Sequence, residues 1–391
     1  MPTIHAETAL LPDGWMENVL IDLGDDGRIA RVTQHVTGTA AEIHVPCLLP
    51  APVNAHSHAF QRAMAGLTEH RSNNSTDSFW TWRELMYRFL DQLTPDHVEA
   101  IAALVQMEML ESGYATNVEF HYLHHAPDGN AYDNQSEMAE RIMAATATTG
   151  IGLTMLPVHY QYGGCDMRPL VRGQCRFHND LDGFAALCDG VRNGLGNLPA
   201  DTVFGVAPHS LRAVSASSLD FTRQLAHGGP FHMHLAEQRA EVEEVRHYLG
   251  ARPVEWVLDN FEADTDCCFI HCTQMQPHET SRLAASGAVA GLCPITEASL
   301  GDGVFDGVSW FDADGMIAIG SDSNIRISLS EELRNLEYTQ RLRDGSRSAM
   351  ATSTASTGRH ILDAMTTGGA QAAGRHTGQI ASGYWADLMA L

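Results

Sequence analysis

The stretch CLLPAPVNAHSH, residues 47–58, decides how this chain folds. It is a short apolar, β-branched run of the kind that forms a strand buried on both faces, and it ends on two histidines one residue apart. Seven further runs share this form, and most of them also close on a polar residue or a histidine: 116–123, 150–160, 202–210, 229–237, 267–274, 288–297 and 316–323. Between them lie segments of helical period at 135–148, 181–194, 238–259, 277–286, 331–343 and 355–374. The clearest helix starts at Thr94 as N-cap with Pro95 in the first turn, runs apolar along one side, and stops at Gly113. Eight strands alternating with helices, with polar chemistry at the C-terminal strand ends, predict an α/β fold: a distorted (β/α)8 TIM barrel with its site at the top face. A doubly wound open sheet is the alternative, but its GxGxxG fingerprint is missing.

The two ends do not follow the barrel pattern. AETALLPDGWMENVLIDLGDDGRIARVTQ reads as short strands joined by Asp/Gly turns, and GQIASGYWADLMAL has a similar strand–turn–strand form. They are expected to pair in a small accessory β domain. The expected organisation is therefore 1–50 accessory, 51–375 barrel and 376–391 accessory again.

Composition narrows the function. With 24 basic against 48 acidic residues and a formal net charge of −24, the chain is a poor binder of nucleic acid. All 24 basic residues are arginine, so Schiff-base chemistry, P-loop phosphate binding and a metal pair bridged by a modified lysine are excluded. No apolar run is long enough to span a membrane, and the opening MPTIHAETALLPDGW lacks the features of a signal peptide. The eight cysteines show no CxxC spacing and sit mostly in apolar runs, which predicts buried free thiols and a cytoplasmic location.

Residues i and i+2 of a strand face one side, so His56 and His58 converge inside the barrel mouth. HMHLAE at 232–237 adds His234, nearer the C-terminal end than its neighbour His232, which is expected to be structural. The sixth strand ends with His271 and the eighth with Asp322. Histidines and a carboxylate at one level of one barrel form a donor set that Zn²⁺ favours.

At this point the chain resembles the amidohydrolase superfamily in its mononuclear deaminase form, through HxH, HxxE, a further His and a final Asp. The longer strings NAHSHAFQRAMAGLTEHR (54–71), SFWTWRELMYR (78–88), EFHYLHH (119–125), APHSLR (207–212), HMHLAEQ (232–238) and GSDSNIRISLSEELRNLEY (320–338) are similar to the formimidoylglutamate deiminase family of histidine degradation. That resemblance implies hydrolysis of N-formimino-L-glutamate to N-formyl-L-glutamate and ammonia, one zinc per subunit and a homodimer. It also implies His56, His58, His234 and Asp322 as zinc ligands, and Glu237 and His271 as catalytic beside Asp322. Gln61, Arg83, Tyr122, His209 and Arg212 would then surround the substrate. Family members continue with further strands beyond the ADLxxL stretch, so the accessory part is expected to be cut short here.

The chemistry agrees with these roles. A formimino group is a cationic amidine whose carbon water attacks slowly; zinc lowers the pKa of bound water towards about 7 and so supplies hydroxide. Asp322 and His271 activate the water, and Glu237 shuttles the proton to departing ammonia. Two substrate carboxylates need fixed cations, and Arg83 and Arg212 supply forked donors. Phe79, Trp80 and Trp82 are expected to pack the loop after the first strand. A guanine-like or triazine-like ring is the rival substrate, with that cluster as its stacking platform, and a metal-binding scaffold without catalysis is the rival outside enzymes.

Overall fold

The protein is described here by a computed structural model covering residues 2–36, 40–69 and 78–391, so the last two residues of the string 54–71 lie outside the described part. The N-terminal segment forms β1 (Thr3–Leu11), β2 (Gly14–Leu23), β3 (Ile29–Thr33) and β4 (Ile43–Pro50). The barrel strands follow as β5 (Val53–Ser57), β6 (Thr116–His121), β7 (Gly152–His159), β8 (Val203–Phe204) and β9 (Ala207–Pro208). They continue with β10 (Phe231–Leu235), β11 (Cys267–His271), β12 (Val289–Leu292) and β13 (Met316–Ile319), before β14 (Leu388–Ala390) ends the chain.

β5–β13 pair in parallel in the order β10-β11-β12-β13-β5-β6-β7-β8, with β9 also on β7. The ring closes where the amide of Val206 donates to Pro230 O (2.9 Å) and that of His232 donates to Val206 O (3.1 Å). β8 and β9 are thus one barrel strand interrupted at Gly205. A Cβ there would lie 2.4 Å from the carbonyl oxygen of Pro230, so only glycine lets the neighbouring strands approach. Every residue of β6, β7 and β10 is buried, as apolar runs enclosed on both faces require.

The outer helices follow the sequence with four differences. The span 238–259 is two helices, Arg239–Leu249 and Pro253–Asn260, because Gly250 turns left-handed (φ +80°) and Pro253 can only begin a helix. The run 288–297 ends as a strand at Leu292 and turns helical at Pro294–Leu300, where proline again takes the first turn. Phe79–Leu90 is a helix and not a loop, and Ala216–Leu225 supplies the helix after β9.

β14 runs antiparallel to β4, which pairs with β1, giving a five-stranded sheet of order β14-β4-β1-β2-β3. Ile4, Ala6, Val19, Ile21, Leu48 and Ile380 form its own core. The floor of the barrel is sealed by the end of helix Thr357–Ala373. There Thr154 Oγ1 donates to Ala373 O (2.7 Å) and Arg375 pairs with Asp201 (3.0 Å) and Asp387 (3.1 Å). A closed floor leaves the opposite, C-terminal face for a site. Among the described residues no helix is long and apolar enough to cross a membrane, and all eight cysteines are free.

Burial also sets how the fold responds to acid. Burial holds His121 down to about 3 and His159 and His232 down to about 4. In the unfolded chain these rings take up protons near 6.5, so between about pH 6.5 and 4 the unfolded state binds more protons and stability falls as pH falls. Each fully differing ring contributes about 1.4 kcal/mol per pH unit. Urea midpoints should therefore drop markedly from pH 7.5 to pH 5; a flat profile would show that these rings are charged or exposed in the fold.

Candidate metal centre and active site

β5 delivers His56 and His58 to the mouth of the barrel, and the end of β13 is laced directly onto them. The amide of Asp322 donates to His56 O and the amide of His58 donates to Asp322 O, both at 2.9 Å. Gly320 makes this approach possible, since a Cβ there would lie 2.7 Å from the Cβ and the backbone nitrogen of His56. On the far side β10 presents His234. The ring nitrogens and the carboxylate converge: His56 Nε2 lies 3.1 Å from His234 Nε2 and 3.6 Å from Asp322 Oδ1, and His58 Nε2 lies 3.3 Å from that oxygen.

Two outer hydrogen bonds fix the rings. His58 Nδ1 donates to Phe120 O (2.9 Å) and His234 Nδ1 donates to His209 O (3.0 Å), which leaves each Nε2 lone pair aimed at the shared point. Burial, reinforced by the neighbouring rings, pushes His56 and His234 well below the usual histidine range; burial lowers His58 to about 3. Neutral imidazoles are the ligand form. Metal–nitrogen bonds of about 2.0–2.1 Å at tetrahedral angles would separate ligand atoms by about 3.3 Å, so this donor set fits a dication of the Zn²⁺ type. His56, His58 and His234 can thus hold a metal ion. His232 faces the barrel interior one layer lower, where its Nε2 donates to Ala372 O (2.7 Å).

Glu237 and His271 both sit where the chain leaves a strand on left-handed backbone. Ala236 has φ +51°, His271 +73° and Asp322 +48°, conformations that cost about 1–3 kcal/mol each and persist only where surroundings enforce them. At Glu237 the enforcing group is buried Glu241, whose carboxylate accepts from the amides of Ala236 (3.2 Å) and Glu237 (2.9 Å). The turn swings Glu237 over the centre, with Oε1 3.9 Å from His271 Nε2. His271 Nε2 also lies 3.9 Å from Asp322 Oδ2. Burial opposes a charge on His271, but Glu237 and the hydrogen bond to Glu297 outweigh it and raise the ring to about 10. Burial raises Asp322 to about 7, with His271 acting against it.

Above the histidines opens a cleft. His58, His234, Glu237, His271 and Asp322 form its base, and Gln61, Arg83, Tyr122, His209 and Arg212 all line its walls. His56 is fully buried behind them. Gln61 Nε2 donates to Tyr122 Oη (2.6 Å), and Arg83 Nε donates to Tyr87 Oη (2.5 Å). Arg212 Nη2 lies 4.0 Å from Glu237 Oε2. Two buried atoms of these residues, Gln61 Oε1 and Arg212 Nε, have no hydrogen-bond partner among the described residues.

The aromatic residues fall differently from expectation. Phe79 and Trp82 lie on helix Phe79–Leu90 and line the cleft beside Met86, Tyr87, Tyr160 and Phe177; Trp80 does not. Tyr87, Glu119 and Glu297 were not singled out in the sequence. Glu119 supports the HxH segment from below by accepting from the amide of Ala59 (2.7 Å), and burial raises it to about 7.

A (β/α)8 barrel whose strand ends gather three neutral histidines and an aspartate under a polar cleft defines a metal-dependent hydrolase. Residues 47–391 match the amidohydrolase family, and residues 1–43 match the N-terminal domain of formimidoylglutamate deiminase HutF. A formimidoylglutamate deiminase of Pseudomonas aeruginosa is 43% identical over 100% of this chain and 86% of its own length. The crystal structure of an amidohydrolase from Brucella melitensis superposes with a TM-score of 0.96 at 45% identity, covering 100% of this chain and 86% of that one. An 8-oxoguanine deaminase of Pseudomonas aeruginosa is 26% identical over 93% of this chain and 80% of its own length. The chain belongs to the formimidoylglutamate deiminase family of amidohydrolases.

Proposed function

We propose that the protein hydrolyses N-formimino-L-glutamate to N-formyl-L-glutamate and ammonia, with one zinc ion held by His56, His58, His234 and Asp322. The observation that carries this reading is the joint presence, in one cleft, of a histidine–carboxylate cluster and two arginines, Arg83 and Arg212. A bound zinc would acidify a water and polarise it for attack. The chain supplies the remaining functions. Arg83 and Arg212 hold the two carboxylates, and Gln61 Oε1 accepts an N–H of the amidinium. Asp322 takes a proton from the attacking water while His271 orients it. Glu237 carries a proton to the departing nitrogen. Water adds across the C=N bond, the C–N bond to ammonia breaks, and the formamide remains attached to glutamate.

Ammonia release from N-formimino-L-glutamate, run beside N-formimino-L-aspartate, guanine and cytosine, tests the assignment. A heteroaromatic substrate is the second reading, and the wall of Phe79, Trp82, Tyr160 and Phe177 is the observation in its favour. Such rings carry no paired carboxylates, and turnover of guanine at a higher kcat/KM than the formimino acid would make it the better reading. The same proposal includes a cytoplasmic homodimer; the free thiols support the location, and sedimentation at micromolar concentration tests the assembly.

Arg83 gives the cleaner test of recognition, because Arg212 also faces Glu237. Arg83→Met should cost about 2–4 kcal/mol in kcat/KM for the formimino amino acid, through loss of a charge-assisted contact. The loss should shrink for N-alkylformamidines without carboxylates. Equal losses on both would assign Arg83 to holding the helix and not the substrate.

A further inference from the structure

Glu297 has no part in the steps above, yet it is the sole hydrogen-bond partner of the His271 ring among the described residues, accepting from Nδ1 at 3.2 Å. We propose that Glu297 is a positioning residue that fixes the His271 ring so that Nε2, and not a carbon edge, faces Glu237 and Asp322. The inference rests on the reading of His271 as a group that orients the reacting water.

Shape alone cannot set this orientation. His271 packs parallel to His234, with ring centroids 5.5 Å apart and planes within 12°. Turning an imidazole over exchanges Nδ1 with Cδ2 and Nε2 with Cε1 at nearly the same volume, so stacking accepts either face. Only a polar partner distinguishes them. Backbone strain makes the need greater, since His271 and Cys272 both lie on left-handed backbone.

Glu297 is built to hold still. It sits on the short helix Pro294–Leu300, and the same carboxylate oxygen accepts from the amide of Cys293 at the start of that helix (2.8 Å). Buried Glu332 holds the same first turn by accepting from the amide of Ile295 (2.8 Å). Thr296 Oγ1 lies 2.9 Å from Ser323 Oγ, which ties the helix to the strand end that carries Asp322. Capping alone does not explain the residue. A glutamine at the same position would satisfy the amide of Cys293 without burying a carboxylate in reach of other acids. The carboxylate–imidazole pair is the arrangement that fixes tautomer and ring direction in hydrolytic triads.

The test compares Glu297→Met and Glu297→Gln, each alone and in a His271→Asn background, with N-formimino-L-glutamate as substrate and zinc content measured. Glu297→Met should lower kcat by about 10²-fold with KM and zinc content little changed, and Glu297→Gln, which keeps an acceptor, should recover to within about tenfold of the parent. In the His271→Asn background Glu297→Met should have no further effect. Crystals of the zinc-free proteins give a second readout. The ring of His271 should be turned or disordered in Glu297→Met and unchanged in Glu297→Gln. An unchanged ring in Glu297→Met, or equal rate losses with and without His271, would overturn the proposal and leave Glu297 as a helix cap. If the parent fails to release ammonia, the functional reading fails, while the ring orientation still judges Glu297.

Discussion

Purified His58→Ala protein should contain about a tenth or less of the metal bound by the parent, and its deimination rate should fall in the same proportion. The expectation follows from how the cluster is held. His58 Nε2 is one of four converging donors, and its direction is set by the bond from Nδ1 to Phe120 O. Alanine removes the donor and leaves a space that no neighbour can fill with another ligand atom, because His56 and His234 are fixed at 3.1 Å from each other. Three donors then compete with water for the ion less effectively than four. His232→Asn serves as control. That ring lies in the same strand two residues before His234 but bonds to the barrel floor at Ala372, so its loss should reduce stability and leave metal content intact. Metal analysis of the two variants decides the matter. Full occupancy with full activity in His58→Ala would remove His58 from the proposed ligand set.

What the sequence made legible was what strand periodicity transmits. Two histidines at i and i+2 share a face whatever the tertiary context, and the apolar runs locate the strand ends, so His56, His58, His234, His271 and Asp322 could be placed at one level. Choosing His234 over His232 required only the direction of the strand. Other features depend on contacts between distant segments. FWTWRELMYRFL buries fully only Met86 and Leu90, while its Phe79, Trp82 and Tyr87 line the cleft, and which neighbours those aromatic residues meet is set only once the barrel has closed. Glu297 was hidden because the run AVAGLCPITE looks like one strand. The helix that begins at Pro294 brings its glutamate back towards His271, 26 residues earlier. The close approach of Gly320 to His56, and Glu241 beneath the turn at Ala236, are likewise visible only once the barrel has closed.

Glu237→Gln should lower kcat by about 10²–10⁴-fold while the metal content stays at the parent level. A residue three beyond His234 would face away from the centre if the strand ran on. The left-handed turn at Ala236 reverses this and carries the Glu237 carboxylate to the His271 side of the cleft. Thr273 Oγ1, donating to Glu237 O (2.6 Å), and Glu241, accepting from the amide of Glu237, hold the backbone of that turn independently of the side chain, so glutamine should occupy the same position. Glutamine keeps the shape and one acceptor but cannot carry a proton between water and the departing nitrogen. The loss should therefore appear in kcat. KM should change less, because Arg83 and Gln61, the proposed substrate contacts, line the cleft from other elements. Arg212, 4.0 Å from Glu237, loses a charged neighbour in this variant, so substrate should bind no more weakly and the split between kcat and KM should widen. A near-normal kcat would transfer the proton shuttle to His271, whereas loss of metal from Glu237→Gln would show that this carboxylate supports the ion itself.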